Sequence, residues 1–148
     1  MTATAVILTS VHGKRLGIGA QGHIIINGRR VPSMDDTGAI KFLQGAPGTI
    51  NATASMLAAD LLTGIVTSTS AAAVAASVPT GTLLDAAAGL LIGEAFEWNL
   101  INTGPNTVTV TADTGHTLVG TMTVVTAVSA AFLSRKTAAN TFVTYRLS

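Results

Sequence analysis

The sequence predicts an all-β fold: an antiparallel β-sandwich or jelly-roll-like domain with one or two short helices and an extended β-hairpin arm at its N-terminus. Three observations predict it. Short runs alternating apolar and polar residues recur roughly every ten residues from position 50 onward. Clusters of Gly, Asn, Asp, Ser and Pro separate these runs. The long alternating helices that a doubly wound α/β sheet requires are missing.

Taken in order, "TAVILTSV" is a candidate strand, and "HIIINGRRVP" sets Asn27-Gly28 between an isoleucine triplet and "RRV", a strong hairpin signal. "GAPGT", Gly45 to Thr49, reads as a loop, which suggests an arm over residues 1–48 and a β domain over 49–148. "INATASML" alternates as a strand would, and "AADLLTG" resembles one helical turn closed by Gly64. "IVTSTS" and "AAVAASVP" are the next strands. "PTGTLLDAAAGLLIG" is the best helix start, with Thr82 three residues before Asp85 as its cap and Gly89 limiting its length. In "EAFEWNLIN", Phe96, Trp98 and Leu100 share one face, and Glu97 and Asn99 the other. "TVTVTA" sets Val108 and Val110 against Thr107, Thr109 and Thr111. "TMTVVT", "SAAFLSRKT" (with Phe132) and "TFVTYRLS" close the series, with Val143, Tyr145 and Leu147 alternating in the last.

The chain has 148 residues, of which 48% are apolar and only 10% charged, and its mean hydropathy is +0.54. An average domain is about 25% charged. So few charges cannot cover an ordinary monomer's exterior, so the composition calls for surface hidden against copies of the chain or a larger assembly. A membrane is the other way to hide it, but "MLAADLLTGIV" and "LLDAAAGLLIG" fall short of the roughly 20 apolar residues of a spanning helix, and each carries an Asp. With one Trp and one Tyr, the aromatic girdles of a transmembrane β-barrel are not available. "MTATAVILTSV" lacks the basic start of a secretory signal. There is no cysteine, which excludes disulfides and thiolate metal sites.

The net charge of +1 is uneven. Lys14, Arg15, Arg29, Arg30 and Lys41 against Asp35 and Asp36 make residues 1–41 +3, and the remainder is −2. Nucleic acid would call for a denser basic stripe interleaved with aromatics, so a basic segment facing an acidic protein surface fits better.

The chemical candidates are weak. "GIGAQG", Gly17 to Gly22, has dinucleotide-loop spacing, with Asp35 and Asp36 near the distance of a ribose-binding acid. The loop must open a helix, however, and β-branched residues and a hairpin dipeptide follow instead, so the glycines read as a bend between strands. His12, His23 and His116 form no metal-ligand pair, and "ADTGHT" reads as a turn holding a solvated His116. No G-x-S-x-G elbow occurs. Glu94 and Glu97, three apart on a strand, would face opposite sides rather than form a paired-carboxylate site. Trp98 could stack a sugar, but its apolar companions favour the core. The expectation is therefore a protein that is not an enzyme and uses no cofactor, metal or small-molecule substrate.

From about residue 50 onward, "INTGPNTVTVTADTG", "TLVGTMTV", "FLSRKT" and the closing "YRL" resemble a β-rich domain of tailed-phage structural proteins, found in capsid decoration (cement) proteins and in some head-fibre or tail appendages. That resemblance implies a homotrimer on the outer surface of a phage head, at threefold or quasi-threefold positions, binding the major capsid protein and stabilising the shell. The expected capsid contacts are Lys14, Arg15, His23, Ile25, Arg29 and Arg30 of the arm, and the expected core or trimer residues are Phe96, Trp98, Leu100, Val108, Val110, Phe132 and Tyr145. The alternative is a tail or head-fibre module binding host surface glycans, motivated by Trp98 and the Thr faces.

Overall fold

The computed structural model describes residues 44–148 in full and, of the first 43, the backbone of six short strands. The chain divides into two units, Met1–Gly45 and Ala46–Ser148.

In the first unit, β1 (Leu8–Thr9), β2 (Arg15–Ile18), β3 (Ile24–Ile26) and β4 (Arg29–Arg30) pair antiparallel in that order, and β5 (Ser33–Met34) pairs with β6 (Ile40–Lys41). Ile26 lies opposite Arg29, so only Asn27-Gly28 joins β3 to β4, the link length that dipeptide favours. Gly17 and Ile18 lie in β2 opposite Ile25 and Ile24 of β3, so "GIGAQG" begins inside a strand, and the next described element is another strand. Its last four residues lie outside those described, as do Lys14, His23 and the side chains of Arg15, Ile25, Arg29 and Arg30.

The second unit contains β7 (Gly48–Thr49), β8 (Ala54–Ser55), α1 (Ala58–Leu62), β9 (Ile65–Ser68), β10 (Val74–Ser77), α2 (Gly81–Ala88), β11 (Ala95–Asn102), β12 (Val108–Thr111), β13 (His116–Val119), β14 (Thr123–Val124), β15 (Val128–Ala138) and β16 (Thr141–Arg146). They form a six-stranded sheet, β13-β16-β15-β11-β9-β7, and a four-stranded sheet, β14-β12-β10-β8. From β7 to β14 successive strands alternate between the two sheets.

That alternation corrects the antiparallel expectation. A chain that visits the other sheet between two neighbouring strands can return running in its original direction. Accordingly β7, β9 and β11 are parallel, as are β8, β10 and β12. Antiparallel pairing remains where no such visit occurs, between β15 and β16, and also joins β11 to β15 and β12 to β14. The unit is β-rich with mixed sheets. "INATASML" forms only the two-residue β8, with Met56 and Ile50 buried on either side of it.

Period-two alternation puts one side of each sheet into a shared core. Val66 of β9, Trp98 and Leu100 of β11, and Ala130 and Phe132 of β15 meet Val74 and Ala76 of β10, Val108 and Val110 of β12, and Val124 of β14. Full burial of one such aliphatic side chain contributes about 1.5–3 kcal/mol. Trp98 and Phe132, opposite each other in register, stack with centroids 4.4 Å apart. The indole N–H donates to Ser134 Oγ (3.0 Å), which shares a further hydrogen bond with Thr144 Oγ1 (2.9 Å), so the buried polar atoms of this layer satisfy one another.

In β16 the inward residues are Phe142 and Thr144, in the register opposite to the alternating Val143, Tyr145 and Leu147. The apolar alternation of those three is real, but it lies on the outer side of the sheet. Phe96 is half-buried, packing at the core's margin.

Two caps hold the helical segments. Thr80, not Thr82, caps α2, its Oγ1 accepting Leu83 N–H at 3.3 Å. Gly89 ends it in the left-handed region at φ 60°. Gly64, at φ 85°, follows α1. The turn within "INTGPN" is organised by buried Asn102, which donates to Asn106 O (2.7 Å) and Val124 O (3.1 Å) and accepts from Gly104 N–H (3.1 Å).

Candidate functional site

The expected core or trimer residues of the second unit divide between its interior and its outer face. Trp98, Leu100, Val108, Val110 and Phe132 are buried within one chain, so a trimer partner cannot reach them in the folded subunit. Tyr145 belongs to the outer face, half-buried. With Trp98 fully enclosed, the glycan reading keeps only the Thr faces as its ground.

Around α2 the tertiary fold assembles a polar junction with no sequence-local signal. Asp85 forms an ion pair with Lys136, 51 positions away, and its second carboxylate oxygen accepts Asn140 N–H at 2.9 Å. Lys136 Nζ also donates to Leu90 O (2.9 Å). Lys136 and then the Asn140 amide hold the Asp85 carboxyl below its ordinary value of 3.8. The stabilisation from this link is therefore present above about pH 3.8 and lost as the pH falls through the lower folded value. Both charges are consumed by one another and by backbone, which suits a clamp holding α2 to the β15–β16 turn better than an acid–base pair.

His116 lies beside this junction and corrects the expectation of a solvated ring. The turn expectation itself stands: His116 N–H donates to Asp113 O (3.0 Å), and Asp113 Oδ1 accepts Thr114 N–H (2.7 Å). The imidazole stacks on Phe142 at 5.4 Å, with both nitrogens out of solvent and without a hydrogen-bond partner among the described residues. Burial pushes its pKa below 6.5, outweighing Asp113 and the Pro79 carbonyl, which favour the charged form. A depressed histidine pKa means that the unfolded chain takes up the proton first, so stability is full above about pH 6.5 and falls as the pH drops toward the folded value. Thermal melts from pH 7.5 to 5 should show this decline, and His116→Phe, which keeps the stacking, should flatten it. An unchanged slope in that variant would place the titrating group elsewhere.

On its other side, α2 faces α1 across an open groove of about 430 Å³, lined by Met56, Leu57, Ala59, Pro79, Leu83 and Ala87, among others. Leu57 is 66% exposed and Leu83 is 61% exposed. Beyond α2, Leu91 and Ile92 protrude from a turn held by Glu94, whose N–H donates to Leu91 O (3.0 Å) and whose carboxylate accepts Leu91 N–H (2.8 Å). Sequence reading missed these four residues because it placed Leu57 in a strand, and Leu83, Leu91 and Ile92 in a helical stretch closed at Gly89, without asking which side faced out. The available signal was "GLLIG", three large apolar residues between glycines in a chain short of charge.

The groove has the volume of a small-molecule site, but such sites orient their ligands with a few convergent polar groups. Its lining includes no charged side chain, and Ser55 supplies its one side-chain hydroxyl. Among the described residues no cluster of three or more His, Asp or Glu could hold a metal ion. What the arrangement offers is apolar contact area on rigid elements. In comparisons with known proteins, no family model, curated protein or solved structure matches the chain.

Proposed function

We propose that this chain is a virion structural protein, a homotrimeric capsid decoration or cement protein that binds the outer surface of a phage head at threefold or quasi-threefold positions. In this reading the two sheets of the second unit are the layers of a sandwich or jelly-roll-like trimerisation domain. The first unit is the attachment arm, with Lys14, Arg15, His23, Ile25, Arg29 and Arg30 against the major capsid protein. Three arms on one trimer, each making a modest contact, give tight attachment through effective concentration. The basic excess of residues 1–41 provides charge complementarity to an acidic shell.

The observation that carries the reading is the surface of the second unit. Leu57, Leu83, Leu91 and Ile92 are each more than 60% exposed in a domain whose own core is filled. Large apolar side chains rigidly displayed on a charge-poor exterior suit a protein that works by adhering to other protein.

The test is decoration of purified heads that lack the protein, scored by cosedimentation and by density on the shell in electron micrographs. The full chain should bind and raise the temperature at which heads rupture. A variant lacking residues 1–31 should assemble as before but no longer bind. Binding and stabilisation by the truncated protein would overturn the arm mechanism, and failure of the full chain to bind would overturn the decoration reading.

A further inference from the structure

We infer that the outer face of the six-stranded sheet is where a second copy of this chain docks, with Glu97 of one copy meeting Arg135 of the next. This rests on the self-association in the proposed function and assigns it a surface.

The registers define that face. Trp98, Phe132, Phe142 and Thr144 point into the core, so their strand neighbours point out. One outward row runs Val119–Tyr145–Leu133–Glu97 across four strands, and the next runs Thr117–Val143–Arg135–Ala95. Val119 is 45% exposed, and Tyr145, Leu133 and Val143 are half-buried. Gly93 N–H donates to Lys136 O (2.9 Å), which fixes the exposed Leu91–Ile92 tip at the Arg135 end of β15.

The charges identify the occupant. Glu97 and Arg135 are exposed, yet neither side chain has an ion pair or hydrogen bond among the described residues. They sit diagonally on neighbouring strands, since Glu97 lies opposite Leu133 and Arg135 opposite Ala95. Every other charged side chain of the second unit except Asp60 is engaged, by the Asp85–Lys136 pair or by backbone groups that Glu94, Asp113 and Arg146 bind. A foreign acidic or basic partner would select a face of one sign, and an anionic lipid surface would select lysines and arginines. This face carries one acid and one base around an apolar centre, so it complements itself. Placed about a rotation axis, each Glu97 reaches the neighbour's Arg135, and the pairing closes for a cyclic assembly. Tyr145, with an aromatic body and a hydroxyl free of hydrogen bonds, has the character of a central anchor.

The test is molar mass in solution by light scattering, with circular dichroism as the folding control. Wild-type chain should be oligomeric at micromolar concentration. Glu97→Arg and Arg135→Glu should each weaken assembly at least about tenfold without changing secondary structure, and the double swap should restore it. Because the chain has no cysteine, a second measurement does not depend on the swaps folding. Mixing Glu97→Cys with Arg135→Cys chains under oxidation should yield disulfide-linked pairs of the two variants. A monomeric wild type, single swaps that assemble as wild type, a double swap that stays monomeric, or mixed variants that do not cross-link would overturn the proposal. Decoration of heads is scored separately. A chain that cross-links here but does not bind heads keeps this interface and loses the decoration reading, and a monomer that decorates does the reverse.

Discussion

Trp98→Ala is expected to lower the unfolding free energy by about 3–5 kcal/mol, the range for truncating a fully buried aromatic side chain. Trp98 is fully buried, stacked on Phe132 at 4.4 Å, and central to the strand that joins the β15 side of the six-stranded sheet to β9. Truncation leaves a cavity between the sheets and removes the indole N–H from the Ser134–Thr144 hydroxyl pair. A domain stable by only about 5–15 kcal/mol would lose a large part of its margin. Equilibrium urea unfolding followed by circular dichroism measures this. Ser134→Ala separates the two contributions, because it keeps the packing and orphans the indole N–H at a cost of about 1–3 kcal/mol. A Trp98→Ala midpoint near that of wild type would mean that the stack does not carry the core.

The second large effect is expected at Gly81, where local propensity and tertiary contact predict opposite signs. Gly81 is the first residue of α2, and replacing a helical glycine with alanine ordinarily gains about 0.8–1 kcal/mol. A Cβ placed there, however, would lie 1.9 Å from Asn140 O and 3.3 Å from Gly115 Cα. Asn140 itself is held in the left-handed region at φ 54° and tied to Asp85, so the turn cannot yield cheaply. Gly81→Ala is therefore expected to destabilise by about 3 kcal/mol, the upper end for overpacking. Gly89→Ala is the contrast: nothing lies within 4 Å of its added Cβ, and only the positive φ of 60° opposes it, at about 1 kcal/mol. If the two variants unfolded at the same urea concentration, the three-segment junction of Gly81, Gly115 and Asn140 would not be the constraint described here.

These two sites mark the boundary of what could be read from the linear chain. Phe96-Trp98-Leu100 and Val108-Val110 announce strands with an inward face, because period-two alternation is a property of a few consecutive residues. The two-residue link between β3 and β4 and the helix stop at Gly89 are equally local, since a short link length and one residue's tolerance of a left-handed backbone are each set by a few consecutive residues. The inward face of β16 is not legible in the linear chain for a related reason. "TFVTYRLS" alternates plausibly in both registers, and only Phe132 and Ser134 on the neighbouring strand show that Phe142 and Thr144 turn inward.

The sequence by itself therefore determined the β-rich class, the short helices, the scarcity of charge, and the β-branched run that follows "GIGAQG". Only the tertiary structure decided that the sheets are mixed, because parallel pairing depends on which sheet the chain visits between two strands. It alone brought Asp85 to Lys136 and buried the His116 ring, since both bring together segments distant in sequence. It also separated core from surface among the candidate trimer residues. Alternation says that two faces differ, and packing against a second sheet decides which of them is left at the surface.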